Sequence, residues 1–175
     1  ELRVALYRGG RFRGASRSAP LTIPERSGRS VHADALFDGF IDLTYAYRFG
    51  PAQHDGVAAT LRCSATRRIL AQAFYFPCGL PTARDEALEL VARSERVADG
   101  YLLTVEADRF AHAVVIDAAG FVPDDNFLHI EPGEPRRVFL TAEAAGTPLQ
   151  GTVCALNGVA PVVIVPSHAG ASDVG

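Results

Sequence analysis

The composition of the sequence excludes several function classes before any motif is considered. Its 175 residues include no tryptophan, no methionine and only three cysteines. Lys and Arg number 17 against 20 Asp and Glu, and no basic stripe interleaved with aromatic residues occurs, so we predict no nucleic-acid partner. No apolar run approaches the ~20 residues that a membrane helix needs, so we predict no membrane partner. The remaining composition, 48% hydrophobic and 21% charged, is typical of a globular protein.

The three cysteines do not predict a disulfide framework. Cys63, Cys78 and Cys154 are odd in number and widely spaced, and no CxxC or Cys/His spacing typical of a zinc site occurs. Cys63 and Cys154 lie in strand-like runs and are predicted to be small buried hydrophobic residues, whereas Cys78 follows a proline in a turn. Unpaired cysteines favour a reducing compartment, but a cytoplasmic and a periplasmic location both stay open.

The histidines and acidic residues do not combine into a predicted catalytic centre. Two pairs lie close together in the sequence: His32 with Asp34, and His54 with Asp55. No GxSxG motif accompanies them, and a catalytic triad depends on a geometry that adjacency does not supply, so we interpret both pairs as polar loop residues. His112 and His129 lie in predicted strands and are interpreted as cross-strand or surface residues. We therefore predict no catalytic residue, no cofactor and no metal.

Apolar and polar residues alternate in short runs along most of the chain. The clearest runs with this period of two are Ile41–Phe49, Val57–Cys63 and Ile69–Phe76. Strands recur every ~8–12 residues between glycines and prolines, which favours β-sandwiches over helical folds. Two prolines and a glycine within Pro77–Pro81 break any ladder and mark a domain boundary. We predict an all-β protein of two immunoglobulin-like β-sandwich domains in tandem, over residues 1–80 and 81–175.

The stretch Asp124–Leu140, DDNFLHIEPGEPRRVFL, is predicted to form two short strands joined by a corner. Each strand places two apolar residues on one face: Leu128 with Ile130, and Val138 with Leu140. Pro132 and Gly133 between them interrupt the alternation, because proline fixes its own φ and glycine tolerates a positive one. This spacing predicts a chain that crosses from one sheet of a sandwich to the other, with both apolar pairs in one core.

The polar residues that open this stretch allow two interpretations. Asp124, Asp125 and Asn126 offer clustered oxygen ligands of the kind that calcium prefers. Alternatively, Asp125 and Asn126 bond nearby backbone amides and fix the turn. We favour the second interpretation and keep the ion site as the alternative.

Two long stretches resemble a known enzyme family. IDLTYAYRFGPAQHD followed by LAQAFYFPCGLP looks like the sandwich that follows the catalytic barrel in β-mannosidases of glycoside hydrolase family 2. DGYLLTVEADRFAHAVVIDAAGFVPDDNFLHIEPGEPRRVFL is similar to the immunoglobulin-like domain that ends those enzymes. The residues that carry the resemblance are Asp42, Tyr45, Tyr47, Phe49, Gly50 and Pro51 in the first half, and Asp125, Asn126, Phe127, Pro132 and Gly133 in the second.

The resemblance implies a non-catalytic role for this chain. In that family the chemistry takes place on a TIM barrel with two catalytic glutamates, and a barrel of ~250 residues is longer than this chain. No glutamate of this sequence matches the family's catalytic motifs. The implied partner is the catalytic barrel of the same polypeptide, and the implied parent is a β-mannosidase-type glycoside hydrolase that acts in carbohydrate degradation.

A carbohydrate-binding module is the alternative function. Such modules lay exposed aromatic rings against the faces of sugars, and Phe74, Tyr75 and Phe76 are the candidate sugar contacts. Other aromatic residues, which share one face of a predicted strand, are interpreted as core: Tyr45, Tyr47 and Phe49. The absence of tryptophan counts against sugar binding.

Overall fold

The computed structural model describes residues 1–38, 41–46, 50–81 and 83–167. The chain divides into two compact units, Glu1–Leu80 and Pro81–Gly175. Within the described ranges there are thirteen β-strands, one short 3-10 helix and no α-helix. The prediction of an all-β fold is thereby confirmed.

The first unit is built on one antiparallel sheet. Its strands are β1 (Leu2–Arg8), β2 (Arg11–Ala19), β3 (Gly56–Arg62) and β4 (Ile69–Tyr75), in the order β2-β1-β3-β4. β1 and β3 therefore lie at the centre, and β2 and β4 form the edges. A 3-10 helix, Ala33–Leu36, lies in the long connection between β2 and β3.

Both faces of this sheet carry buried side chains. On one face Val4, Leu6 and Val57 form a small cluster with Phe37, which follows the 3-10 helix. The residues buried on the opposite face are Ala5, Tyr7, Ala58 and Thr60. In the described part of this unit, the layer packed on the first face is the irregular segment around the 3-10 helix.

The prediction of a long strand over Ile41–Phe49 is wrong for residues 41–46, which form a turn; residues 47–49 lie outside the described ranges. Asp42 accepts two hydrogen bonds. Its carbonyl oxygen accepts from the amide of Ala46 at 3.1 Å, and its side-chain Oδ1 accepts from the amide of Tyr45 at 2.9 Å. Ala46 has a φ of +54°. An aspartate that bonds its own following backbone competes with strand pairing, and an alternating pattern does not reveal this competition. Tyr45 is exposed, so its assignment to the core is also wrong.

The second unit contains two sheets. The strands of the first are β5 (Leu90–Val97), β6 (Gly100–Ala107), β8 (Phe121–Pro123), β10 (Arg136–Ala142) and β13 (Val165–Pro166), in the order β13-β5-β6-β10-β8. The strands of the second are β7 (Ala111–Ala118), β9 (Leu128–Ile130), β11 (Gly151–Cys154) and β12 (Val162–Val163), in the order β12-β11-β7-β9. Only the pairing of β13 with β5 is parallel among these described strands.

One hydrophobic core joins the two sheets of this unit. Leu128 and Ile130 on β9 and Val138 and Leu140 on β10 belong to the same cluster, each at most 4% exposed. Because β9 and β10 lie in different sheets, the chain does cross from one layer to the other, as the pattern of this stretch predicts. The corner includes Gly133, whose φ is +72°.

Candidate functional site

The three candidate sugar contacts do not form one surface. Phe74 and Tyr75 are successive residues of β4 and so point to opposite faces of the sheet. Tyr75 is 48% exposed, and its hydroxyl donates to the carbonyl oxygen of Thr44 at 2.8 Å. Phe74 and Phe76 are half-buried, and the ring of Phe76 lies 3.5 Å from where a Cβ on Gly56 would be. A flat platform of stacked rings is therefore not present at these residues.

The polar turn before β9 uses its side chains to hold backbone groups. Asp124 accepts a hydrogen bond from the amide of Phe139 at 2.9 Å, and Asp125 accepts one from the amide of Asn126 at 2.9 Å. The Asn126 side chain accepts from the amide of Ile116 at 2.9 Å and donates to the carbonyl oxygen of the same residue at 3.1 Å. The turn-fixing interpretation predicts such contacts. The two bonds to Ile116 extend the pairing of β9 with β7, because the Asn126 side chain takes the place of the next backbone pair in the ladder.

A second asparagine holds the other end of β7, and the sequence analysis missed it. Asn157 is 4% exposed, accepts from the amide of His112 at 2.9 Å and donates to the carbonyl oxygen of Phe110 at 2.9 Å. The sequence marks Asn157 and Gly158 only as a turn. The partner of the side chain is 45 residues away, so no local pattern could have identified it.

His112 and His129 lie on adjacent strands, as predicted for cross-strand residues. Their ring centroids are 5.8 Å apart in an edge-to-face arrangement, and the ring of Phe110 lies 4.7 Å from that of His112. Burial lowers the pKa of His112 to about 4, with a smaller contribution from His129. Burial also lowers the pKa of His129. Both imidazoles are therefore neutral near neutral pH.

The two polar pairs of the first unit differ in their contacts. Asp55 accepts from the amide of Gly9 at 2.6 Å, and the Nε2 of His54 lies 3.3 Å from the carbonyl oxygen of Leu43. His54 is completely buried, which a polar loop residue is not expected to be. His32 is exposed and precedes the 3-10 helix that contains Asp34. Neither contact places a nucleophile beside an oriented base.

The cysteines are more exposed than the sequence predicts. Cys63 and Cys154 are both partly exposed, so the prediction that they are buried is wrong; Cys78 is exposed. The hydroxyl and the backbone amide of Thr66 lower the pKa of the Cys63 thiol. Cys63 directly follows β3 at the hairpin turn, where alternation no longer determines which side chain is covered.

The ends of the segment from Asp85 to Gly158 are bound to each other. The amide of Asp85 donates to the carbonyl oxygen of Asn157 at 2.8 Å, and the guanidinium of Arg84 donates to the backbone carbonyl oxygen of Gly158. The Asp85 carboxylate also forms an ion pair with Arg109 at 2.6 Å, and both side chains are largely covered. These contacts close the segment on itself as a domain.

Residues 85–158 match the family model Ig_mannosidase, which describes an Ig-fold domain. This segment is therefore similar to the Ig-fold domain of mannosidases. The match confirms the predicted resemblance in the second half of the chain and does not extend to residues 1–84. No curated protein matches the chain. In the described part of the chain, no helix is long and apolar enough to cross a membrane.

Proposed function

We propose that this chain is the non-catalytic C-terminal region of a β-mannosidase-type glycoside hydrolase, where it packs against the catalytic barrel and supports it in carbohydrate degradation. The observation that carries the proposal is the mannosidase-type Ig-fold domain at residues 85–158, since such a domain has an accessory role. The resemblance of residues 1–80 to the sandwich that follows the barrel in those enzymes extends the same role to the first unit.

The exposed apolar side chains of the second unit support a docking role. Large ones that are more than half exposed are Val122, Phe127, Val159 and Val163. Phe127 is 66% exposed and has a φ of +58°, which is strained for an aromatic residue. The side chain of Asn126 fixes that backbone by accepting the amide of Phe127 at 2.9 Å. A strained turn that presents a phenyl ring to solvent is suited to contact with a partner.

The crowded carboxylates of the turn before β9 are engaged in structural contacts. A retaining glycosidase needs two carboxyl groups ~5 Å apart on either side of a sugar bond, one acting as acid and one as nucleophile. Here Asp124 holds the amide of Phe139, and Asp125 holds the amide of Asn126 and contacts Arg136 at 3.4 Å. The proposal therefore assigns these carboxylates to the fold.

The coding sequence upstream of Glu1 provides the first test. The proposal predicts a stretch of ~250 residues there with alternating strand and helix patterns, as a TIM barrel requires. An upstream region that encodes a different kind of domain would contradict the proposal. The purified 175-residue chain should leave aryl β-mannosides unchanged, and reproducible hydrolysis that survives repurification would refute the non-catalytic role.

Sugar binding at Tyr75 is the second candidate function, favoured by the exposure of that ring on an edge strand. The test is a calorimetric titration of the chain with mannose, mannobiose and mannan. Saturable binding that Tyr75→Ala abolishes, and that Phe12→Ala retains, would support a sugar site. Phe12 is a matched control because it is another ring about half exposed on an edge strand of the same sheet. No saturable binding would leave the docking role as the function of this unit.

A further inference from the structure

The pairing of β7 with β9 contains an irregularity at the histidine pair. Ala111 pairs with Ile130 and Val114 pairs with Leu128, so two residues of β7 stand opposite His129 alone. Ala113, one of those two residues, has a φ of +41°. This is a β-bulge, in which the extra residue cannot join the regular ladder and its amide needs another acceptor.

His129 supplies that acceptor. The amide of Ala113 donates to Nδ1 of His129 at 3.3 Å. An imidazole accepts at Nδ1 only when that nitrogen carries no proton, and a protonated ring has two donors and no acceptor. Protonation of His129 therefore removes the acceptor of the bulge amide and sets two N–H groups against each other.

The surroundings of the ring disfavour its charged form. His129 lies 5.8 Å from the ring of His112 and 6.4 Å from that of Phe110. Asn157 also lies at this end of β7, where it binds the backbone of His112 and Phe110. Burial lowers the pKa of both imidazoles. A proton taken up at this pair therefore carries a desolvation cost that the neutral rings do not incur.

We propose that His129 is a proton-sensitive latch that holds β9 to the bulge of β7 when it is neutral and releases β9 on acidification. β9 has three residues and lies at the edge of its sheet, so it can separate without disturbing another ladder. Its release uncovers Leu128 and Ile130, which are core residues. The latch does not depend on the proposed docking role, because it follows from contacts within the second unit alone.

Amide hydrogen exchange of the intact chain, followed by NMR, tests the latch. Protection of the amides of Ala113, Leu128 and Ile130, corrected for the intrinsic effect of pH, is expected to fall by up to about tenfold per pH unit between the ordinary histidine pKa of the released strand and the lowered pKa of the folded ring. The fall should begin near about pH 6.5 and end where the folded ring itself takes up a proton. Protection that does not change down to about pH 4 would overturn the proposal.

His129→Asn separates the latch from general acid sensitivity. The asparagine Oδ1 can occupy the place of Nδ1 and accept the bulge amide, but it takes up no proton in this range. Acidification should reduce the protection of Ala113 clearly less in this variant than in the wild type, whereas the matched control His32→Asn, at an exposed histidine, should behave as the wild type. If His129→Asn loses protection on acidification as the wild type does, the latch is refuted. If the variant does not fold, the ¹⁵N shifts of wild-type His129 decide: the proposal requires the loss of protection to level off at the pH where the folded ring titrates, and a loss that continues unchanged below that pH would refute it.

Discussion

The two units bury their apolar side chains in different ways. The second unit encloses fifteen buried residues in one cluster between two sheets. In the described part of the first unit, the corresponding cluster has four residues, Val4, Leu6, Phe37 and Val57, covered by an irregular segment. A layer of paired strands is held by its own ladder, whereas an irregular segment is held mainly by the side chains that it covers. From this difference we expect the second unit to be the more stable of the two.

Truncating matched core leucines should give the largest effect. Leu140→Ala in the second unit is expected to cost about 3–5 kcal/mol, because the residue is 0% exposed and enclosed by both sheets. Leu6→Ala in the first unit is expected to cost about 2–3 kcal/mol, because the segment above it can collapse onto the gap. Urea unfolding followed by hydrogen exchange measures both units in one chain. A larger loss of stability for Leu6→Ala than for Leu140→Ala would contradict the proposed difference between the two cores.

A methyl group added at Gly100 should have the second largest effect, lowering the free energy of unfolding by about 2–3 kcal/mol. A Cβ at Gly100 would overlap the backbone carbonyl oxygen of Leu140 on the adjacent strand, so Gly100→Ala forces β6 and β10 apart. The control is Gly28→Ala in the first unit, where nothing lies within 4 Å of the added atom. Thermal unfolding should show a lower midpoint for the first variant only. Equal midpoints for the two variants would show that the sheet is less tightly packed than described.

Removing the Asn126 side chain should cost about 1–2 kcal/mol, because it leaves the amide and the carbonyl of Ile116 without their partner. Asp125→Asn is the matched control in the same turn, because its contact with Arg136 at 3.4 Å is exposed and contributes little. Urea midpoints of the second unit measure both changes. If Asn126→Ala and the control have the same urea midpoint, the hydrogen bonds of Asn126 to Ile116 do not stabilise β7.

Acid should have the smallest effect on the global stability of the second unit. The pKa of His112 is about 4 in the folded chain against 6.5 for the ordinary side chain. The unfolded chain therefore binds the proton first, so the stabilisation is complete above about pH 6.5 and is lost as the pH falls towards 4. Because the ring is partly open to solvent, the loss is on the order of 1 kcal/mol. His112→Gln should flatten this part of the pH profile, and an unchanged profile would contradict the assignment.

The sequence predicts the paired strands of the fold better than its irregular parts. The runs Val57–Cys63 and Ile69–Phe76 correspond to β3 and β4 within one residue at each end. Their alternation reflects burial on a sheet, which is a regular physical constraint. The run Ile41–Phe49 alternates equally well, yet Asp42 turns the described part of it through two hydrogen bonds. A local pattern cannot show which of the two tendencies is stronger.

The candidate sites depended on contacts between distant residues. The turn at Asp124–Asn126 was predictable because aspartate and asparagine bond backbone groups close in sequence. The partner of Asn157 and the burial of His54 could not be predicted, because residues remote in the chain determine them. The histidine latch likewise needs the bulge at Ala113, which only the register of two strands reveals.

Hydrogen exchange of the intact chain at neutral pH, resolved by residue, tests the difference between the two units most directly. The amides of β6 and β10, at the centre of the larger sheet, should remain protected longer than those of β1 and β3, at the centre of the first unit's sheet. Equal or longer protection in β1 and β3 would contradict the account, because it would mean that the first unit has a core as closed as that of the second.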